Sequence, residues 1–197
     1  MYVIIICMLF AYLLGSVSVS FIAGKLVAGV DIREHGSGNA GATNSLRVLG
    51  WKVGIVVLVA DILKGVLAIA FAHLLTGDSR WAMAWSGLFA VIGHNWPVYF
   101  HFRGGKGVST TIGVLLTLSA PPVLYAAVVA IALLLLTRYV SVASLVLVTL
   151  TPIFEIALHV PAAYIWISFI LAVLTYWRHK SNIVRLVHGE ESRLFTR

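Results

Sequence analysis

Seven apolar runs separated by short polar gaps dominate the chain. They cover Tyr2 to Val27, Val53 to Leu75, Trp81 to Ile92, Val108 to Ala120, Val123 to Thr137, Val140 to Leu158 and Pro161 to Trp177. A helix crossing a bilayer needs about 20 apolar residues. The pattern therefore predicts an all-α integral membrane protein with seven transmembrane helices and little sequence left for a separate soluble domain. The fourth and fifth runs flank Pro121 and Pro122, so a single long helix kinked at the prolines is the competing reading. In the tail, Ile183, Leu186 and Val187 around Arg185 predict a short interfacial helix ending at Gly189.

The basic residues decide the number of spans. With seven, one side receives Lys25, Arg33, Arg47, Lys52, Arg103, Lys106, Arg138, Arg178, Lys180, Arg185, Arg193 and Arg197, leaving Arg80 opposite and Lys64 inside a span. With six, the tail would cross to the other face and this bias would collapse. The positive-inside rule thus favours an outside N-terminus and a cytoplasmic C-terminus. Trp81 and Trp85 on the outer side, with Trp96, Tyr99 and Phe100 on the inner, fit interfacial aromatic belts. Residues 1–197 read as a single polytopic membrane domain, 179–197 being a short cytoplasmic interfacial tail. Met1 to Gly15 has no basic n-region and no A-x-A site, the pattern of an uncleaved span rather than a signal peptide.

Composition sharpens this picture. The 197 residues are 60% hydrophobic and 11% charged, with a mean hydropathy of +1.00, which excludes a water-soluble globule. The net charge of +7 would suit nucleic acid or an anionic membrane, and the placement of charges between apolar runs selects the membrane. The single cysteine, Cys7, lies in the first run, so neither a disulfide framework nor a cysteine metal site can be drawn. The seven histidines show no metal-ligand spacing, and no metal is expected.

Three polar segments on the cytoplasmic side carry the candidate chemistry. The first runs His35-Gly36-Ser37-Gly38-Asn39-Ala40-Gly41-Ala42-Thr43-Asn44, then Arg47. It matches G-x-G-x-x-G, but it follows a membrane span and lacks a βαβ unit, so a dinucleotide reading fails. What remains is backbone N–H groups able to approach an anion, with hydroxyl and amide donors beside them. A mere connector would not need the Asn, Thr and Arg. The second, Arg103-Gly104-Gly105-Lys106-Gly107-Val108-Ser109-Thr110-Thr111, is not a Walker A motif, because Gly107 replaces the Ser/Thr after the lysine. It places Lys106 and N–H groups at a helix start, an arrangement suited to phosphate; the bland alternative is a positive-inside anchor with packing glycines. The third, His179-Lys180-Ser181-Asn182-Ile183-Val184-Arg185-Leu186 with Gly189 and Glu191, could present an imidazole and an amide on one helix face. By itself it would read as a solvated basic tail.

Together, G-S-G-N-x-G-x-T-N, G-G-K-G-V-x-T and H-x-x-N-I-x-R-L-x-x-G-x-E resemble the bacterial acyl-phosphate:glycerol-3-phosphate acyltransferase family over the full length. The resemblance implies transfer of a fatty acyl group from acyl phosphate to the sn-1 hydroxyl of glycerol 3-phosphate. That is the first acylation of phospholipid synthesis, giving lysophosphatidate and phosphate. It implies substrate-binding residues Ser37, Asn39, Thr43, Asn44, Arg47, Gly104, Gly105, Lys106, Gly107, Ser109, His179, Asn182, Arg185 and Glu191, with Ser37, Lys106, His179 and Asn182 catalytic. The family more usually has Lys at Arg103 and Ala at Ser109, departures that keep charge or size. The implied partners are glycerol 3-phosphate, a long-chain acyl phosphate and the bilayer of the bacterial cytoplasmic (inner) membrane. No cofactor, nucleic acid or protein partner is expected.

Acyl phosphate is an activated mixed anhydride, so two phosphates must be held near a carbonyl and one hydroxyl admitted. Arg47 offers a bidentate fork and Lys106 a mobile point charge. His179 is the residue type matched to a neutral-pH base, although a substrate phosphate oxygen could take the proton instead. A covalent acyl-Ser37 is unnecessary with such a donor. His73 and Asp78 form the H-x-x-x-x-D of a different glycerolipid acyltransferase family, but seven spans put them at the outer end of the second helix. His94-Asn95-Trp96-Pro97 aims His94 toward the glycine segment or serves as a cap and turn, and His101 is a weaker candidate of this kind. Asp61 and Lys64 read as an intrahelical pair bracing the bundle or indirectly shaping the site, and Glu155 as interfacial. A small phosphate-ester transporter is the competing class, which internal repeats and broken helices would favour.

Overall fold

The structure, a computed structural model, describes residues 2–194, and the regular elements among them are all helical. The chain forms two compact units, which meet in sequence after Leu118.

The first unit holds α1 (Tyr2–Gly15), α2 (Val19–Ala28), α3 (Ala42–Leu49), α4 (Trp51–Thr76), α5 (Arg80–Asn95) and α6 (Val108–Leu118). Helix α1 packs along α5, and α4 along α6. Small residues make both seams, because association within lipid depends on close backbone approach rather than on a hydrophobic driving force. A Cβ at Gly15 would collide with the Ala90 backbone and one at Gly93 with that of Tyr12; Gly65 and Gly113 do the same across α4 and α6.

The first apolar run is not one helix. Residues Ser16 to Ser18 interrupt it: Ser16 Oγ donates back to the Tyr12 carbonyl at 2.8 Å, and Ser18 caps α2 by accepting from Phe21 N at 3.4 Å. Serine hydroxyls here compete with the main chain for its own partners. The polar stretch that follows also holds a helix, α3, which the sequence pattern does not announce. Helix α5 runs on past Ile92 to Asn95 and stops just before Pro97.

The second unit holds α7 (Ala120–Thr137), α8 (Val140–Ala157), α9 (Ala162–Arg178) and α10 (Lys180–Val187). A non-helical Ser119, φ −155° and ψ 78°, precedes α7, so α6 and α7 are two helices rather than one kinked at the prolines. Pro121 and Pro122 sit in the first turn of α7, where a missing N–H costs nothing. Helices α7, α8 and α9 pack in sequence order. Glu155, read in sequence as interfacial, lies near the end of α8 and is fully buried within the protein. The α7–α8 hairpin returns it to Ser119, whose hydroxyl donates to Oε1 at 2.6 Å. The tail helix expected from the apolar spacing is α10, ending before Gly189 at φ 73°.

Among the described residues, four segments are long and apolar enough to cross a membrane: Tyr2–Ala28, Trp51–Thr76, Ala120–Thr137 and Val140–Ala157. Val108–Leu118 and Ala162–Arg178 are shorter apolar helices. The chain is a multi-pass membrane protein.

Candidate active site

The first loop is folded by one side chain. Asn44, on α3, is fully buried. Its Oδ1 accepts from Ser37 N at 2.8 Å, and its Nδ2 donates to the carbonyls of Ile32 and His35, each at 3.0 Å. The loop thus closes around its own helix, with Gly36 and Gly38 taking left-handed backbone at φ 61° and 70°. Ser37 stays exposed, Asn39 and Thr43 half-buried, and Arg47 exposed one turn beyond Thr43 on α3. Upstream, Arg33 pairs with Asp31 at 2.7 Å, donates to the Phe100 carbonyl at 3.0 Å and lies over the Phe21 ring. The hydrogen bond from Arg33 holds the Asp31 carboxyl at about 2. Asn44→Ala removes all three bonds at a fully buried position. It is expected to lower stability by about 3 kcal/mol, read as a fall in the thermal midpoint in detergent.

The second loop lies flat on the end of α5. A Cβ at Gly104 would collide with the His94 carbonyl and one at Gly105 with His94 Nε2, while one at Gly107 would come within 2.6 Å of Asn95 Oδ1. These positions are glycine because the turn His94-Asn95-Trp96-Pro97 is their floor. The Gly105 amide donates to the His94 carbonyl at 3.1 Å, and the same residue touches the first loop, since a Cβ there would stand 2.5 Å from the Ala40 carbonyl. The structure therefore brings the first two segments together at Ala40 and Gly105. Lys106 and Ser109 are half-buried, Ser109 in the first turn of α6. His94 is buried, whereas His101 is exposed, with left-handed backbone at φ 56°.

The tail segment is built within the second unit. His179 is buried at the end of α9. Its Nδ1 lies 2.8 Å from the Thr175 carbonyl, so Nδ1 carries the proton and Nε2 is the basic nitrogen. Glu191 gathers the other residues: it accepts from Asn182 Nδ2 at 2.6 Å, Ser141 Oγ at 2.8 Å and Arg185 Nε at 2.8 Å. Burial alone would raise this carboxyl, but those three hydrogen bonds outweigh it and hold it below the usual carboxylate range. The stability it contributes is therefore complete above the ordinary glutamate value of about 4.3 and is lost as pH falls through its lower folded value. The thermal midpoint of Glu191→Gln is expected to lie below wild type at neutral pH and to converge with it on acidification.

His73 and Asp78 do meet, at 3.5 Å, but both are exposed and lie at the opposite end of α4 from α3. Sequence reasoning underrated the floor of the glycine loop and the α1–α2 break. The clue for the floor was Pro97, which ends α5 and fixes where the loop must rest.

A polytopic helical membrane protein whose polar residues gather in loops, two of them locked together around glycines, defines the class. The chain belongs to the glycerol-3-phosphate acyltransferase family, whose model matches residues 5–189. It is 53% identical over 189 residues to the glycerol-3-phosphate acyltransferase of Halalkalibacterium halodurans, covering 93% of this chain and 92% of that one. It is 50% identical to that of Shouchella clausii, covering 97% and 96%. It is also similar to the crystal structure of PlsY (YgiH), an integral membrane glycerol 3-phosphate acyltransferase. The glycerol 3-phosphate form matches with a TM-score of 0.92 at 38% identity, covering 97% of this chain and 95% of that one. The lysophosphatidic acid form matches with a TM-score of 0.89.

Proposed function

We propose that this chain transfers a fatty acyl group from a long-chain acyl phosphate to the sn-1 hydroxyl of glycerol 3-phosphate, releasing lysophosphatidate and inorganic phosphate. The observation that carries this reading is the junction of the two glycine-bearing loops at Ala40 and Gly105. It brings the loop that carries Lys106 against the loop that leads into α3 and Arg47, an arrangement that supports a reading in which both serve phosphate-bearing substrates. Relatives named glycerol-3-phosphate acyltransferase, and a similar structure described with glycerol 3-phosphate and with lysophosphatidic acid, support the substrate and product.

In this scheme Arg47 grips a phosphate bidentately and Lys106 supplies the mobile charge. Ser37, Asn39, Thr43, Ser109 and the amides of Gly104 and Gly107 complete the anion-binding surface; the Gly105 amide, tied to the His94 carbonyl, holds the loop on α5, and Asn44 acts by holding the first loop. His179 Nε2 takes the hydroxyl proton as the glycerol oxygen bonds to the acyl carbon. The carbon–oxygen bond to phosphate then breaks and phosphate leaves with the electron pair. Asn182, Arg185 and Glu191 form the network that holds the tail. The scheme uses no metal, cofactor or protein partner. Seven spans with a cytoplasmic C-terminus would put all three segments on the cytoplasmic face of the bacterial inner membrane, where the positive charge gathers.

The test is stoichiometry: purified protein given palmitoyl phosphate releases phosphate only when glycerol 3-phosphate is present, one phosphate per lysophosphatidate. Acceptor-independent release would contradict the scheme. His179→Gln is expected to lower kcat about 10²-fold or more. A preserved kcat with a raised KM for glycerol 3-phosphate would instead make a substrate phosphate oxygen the proton acceptor.

A further inference from the structure

Lys64 sits on α4, buried with its partner Asp61. A brace within one helix would need only that ion pair, at 2.8 Å. The ammonium does more: it donates to the Val17 carbonyl at 2.8 Å and the Gly15 carbonyl at 3.3 Å, and lies 3.3 Å from His94 Nδ1. The two carbonyls belong to the α1–α2 break, where helix-end oxygens have lost their intrahelical donors and a cation is favoured. Main-chain breaks inside a membrane protein persist only where something re-satisfies them, and Lys64 does so here.

The contact with His94 has a chemical consequence. An ammonium only donates, so Nδ1 must offer its lone pair, and the imidazole proton resides on Nε2. Asp61 Oδ1, at 3.6 Å from Nδ1, is beyond hydrogen-bond distance. Nε2 is the nitrogen that lies against Gly105, whose amide is already tied to the His94 carbonyl.

We propose that Lys64, held by Asp61, is a positioning residue: it fixes His94 with its proton on Nε2 against Gly105 and so sets the loop that carries Lys106. This rests on the acyl-transfer reading above for its functional consequence, but the tautomer it asserts can be read without any turnover.

The experiment uses full-length protein in lipid, labelled at histidine nitrogens, with the His94 signals identified by their loss in His94→Gln. Wild type is expected to show His94 neutral with Nδ1 unprotonated; an Nδ1-protonated ring or an imidazolium would overturn the proposal. The charge-balanced pair Asp61→Asn with Lys64→Met avoids leaving a lone buried charge. It is expected to lose that His94 signature, to lower kcat/KM about tenfold or more, and to lower the thermal midpoint as well, because the Gly15 and Val17 carbonyls lose their donor. A double variant that folds with unchanged His94 signals, or with wild-type kcat/KM, would show Lys64 to be a brace only. Should the double variant fail to fold, the wild-type spectrum still decides. Should wild type show the expected tautomer but no acyl transfer, the proposed function fails while the Lys64–His94 coupling stands.

Discussion

Gly105→Ala is expected to lower kcat/KM by about 10²-fold or more, because the added methyl has nowhere to go. It would collide with His94 Nε2 on one side and stand 2.5 Å from the Ala40 carbonyl on the other. Carbonyl oxygen is backbone and cannot swing aside as a flexible side chain can. Relief requires the loop to lift from α5 or the first loop to move away, and either displaces Lys106 relative to α3. The check is steady-state kinetics on detergent-purified variant with its thermal midpoint measured alongside. The midpoint should fall by less than the activity loss would suggest, since the loop lies at the end of α5 rather than within a helix seam. Wild-type activity in Gly105→Ala would mean that the junction of the two loops has no bearing on turnover.

Lys106→Ala and Arg47→Ala are the second large effect, each expected to reduce kcat/KM by about 10²- to 10³-fold. Neither residue lies in the helix seams that hold the first unit together: Arg47 is exposed on α3 and Lys106 half-buried in the loop. The thermal midpoint, measured alongside, separates loss of phosphate binding from loss of whatever structural contacts these side chains make. Lys106→Arg and Arg47→Lys discriminate their roles further. A planar fork and a compact ammonium are not interchangeable at a bidentate phosphate site, so Arg47→Lys should remain impaired more than Lys106→Arg. Equal recovery in both would argue that only net charge matters.

The physical reasons why some of this was legible in sequence, and some not, differ from element to element. Apolar runs such as Val140 to Leu158 announce α8 almost residue for residue, because a segment surrounded by hydrocarbon must be apolar throughout. The tail helix was legible because Ile183, Leu186 and Val187 keep helical spacing between polar residues. The break at Ser16 to Ser18 was hidden, since Gly and Ser also occur within continuous membrane helices, and what stabilises the break is Lys64, far away in sequence. Helix α3 was hidden for the opposite reason: it has only eight residues, half of them polar, and Asn44, the residue that folds the loop onto it, reads in sequence only as another polar side chain. Pairing of Asp61 with Lys64 was evident from their spacing, whereas the reach to His94 and to two main-chain carbonyls depends on how α1, α4 and α5 cross. The burial of Glu155 was hidden because its partner, Ser119, lies at the far end of the preceding helix. The three polar segments stand out in the sequence by their glycines and charges, but the reason for the glycines of the second is only half visible there. Those of the second loop are required by the surface of α5, where a Cβ would collide.

The most direct measurement follows labelled glycerol 3-phosphate into lysophosphatidate on purified protein, with palmitoyl phosphate and palmitoyl-CoA supplied in parallel as acyl donors. The expected result is product from palmitoyl phosphate alone, abolished in Lys106→Ala. Product from palmitoyl-CoA alone, or none from either donor with the protein demonstrably folded, would contradict acyl transfer from acyl phosphate at the junction of these loops.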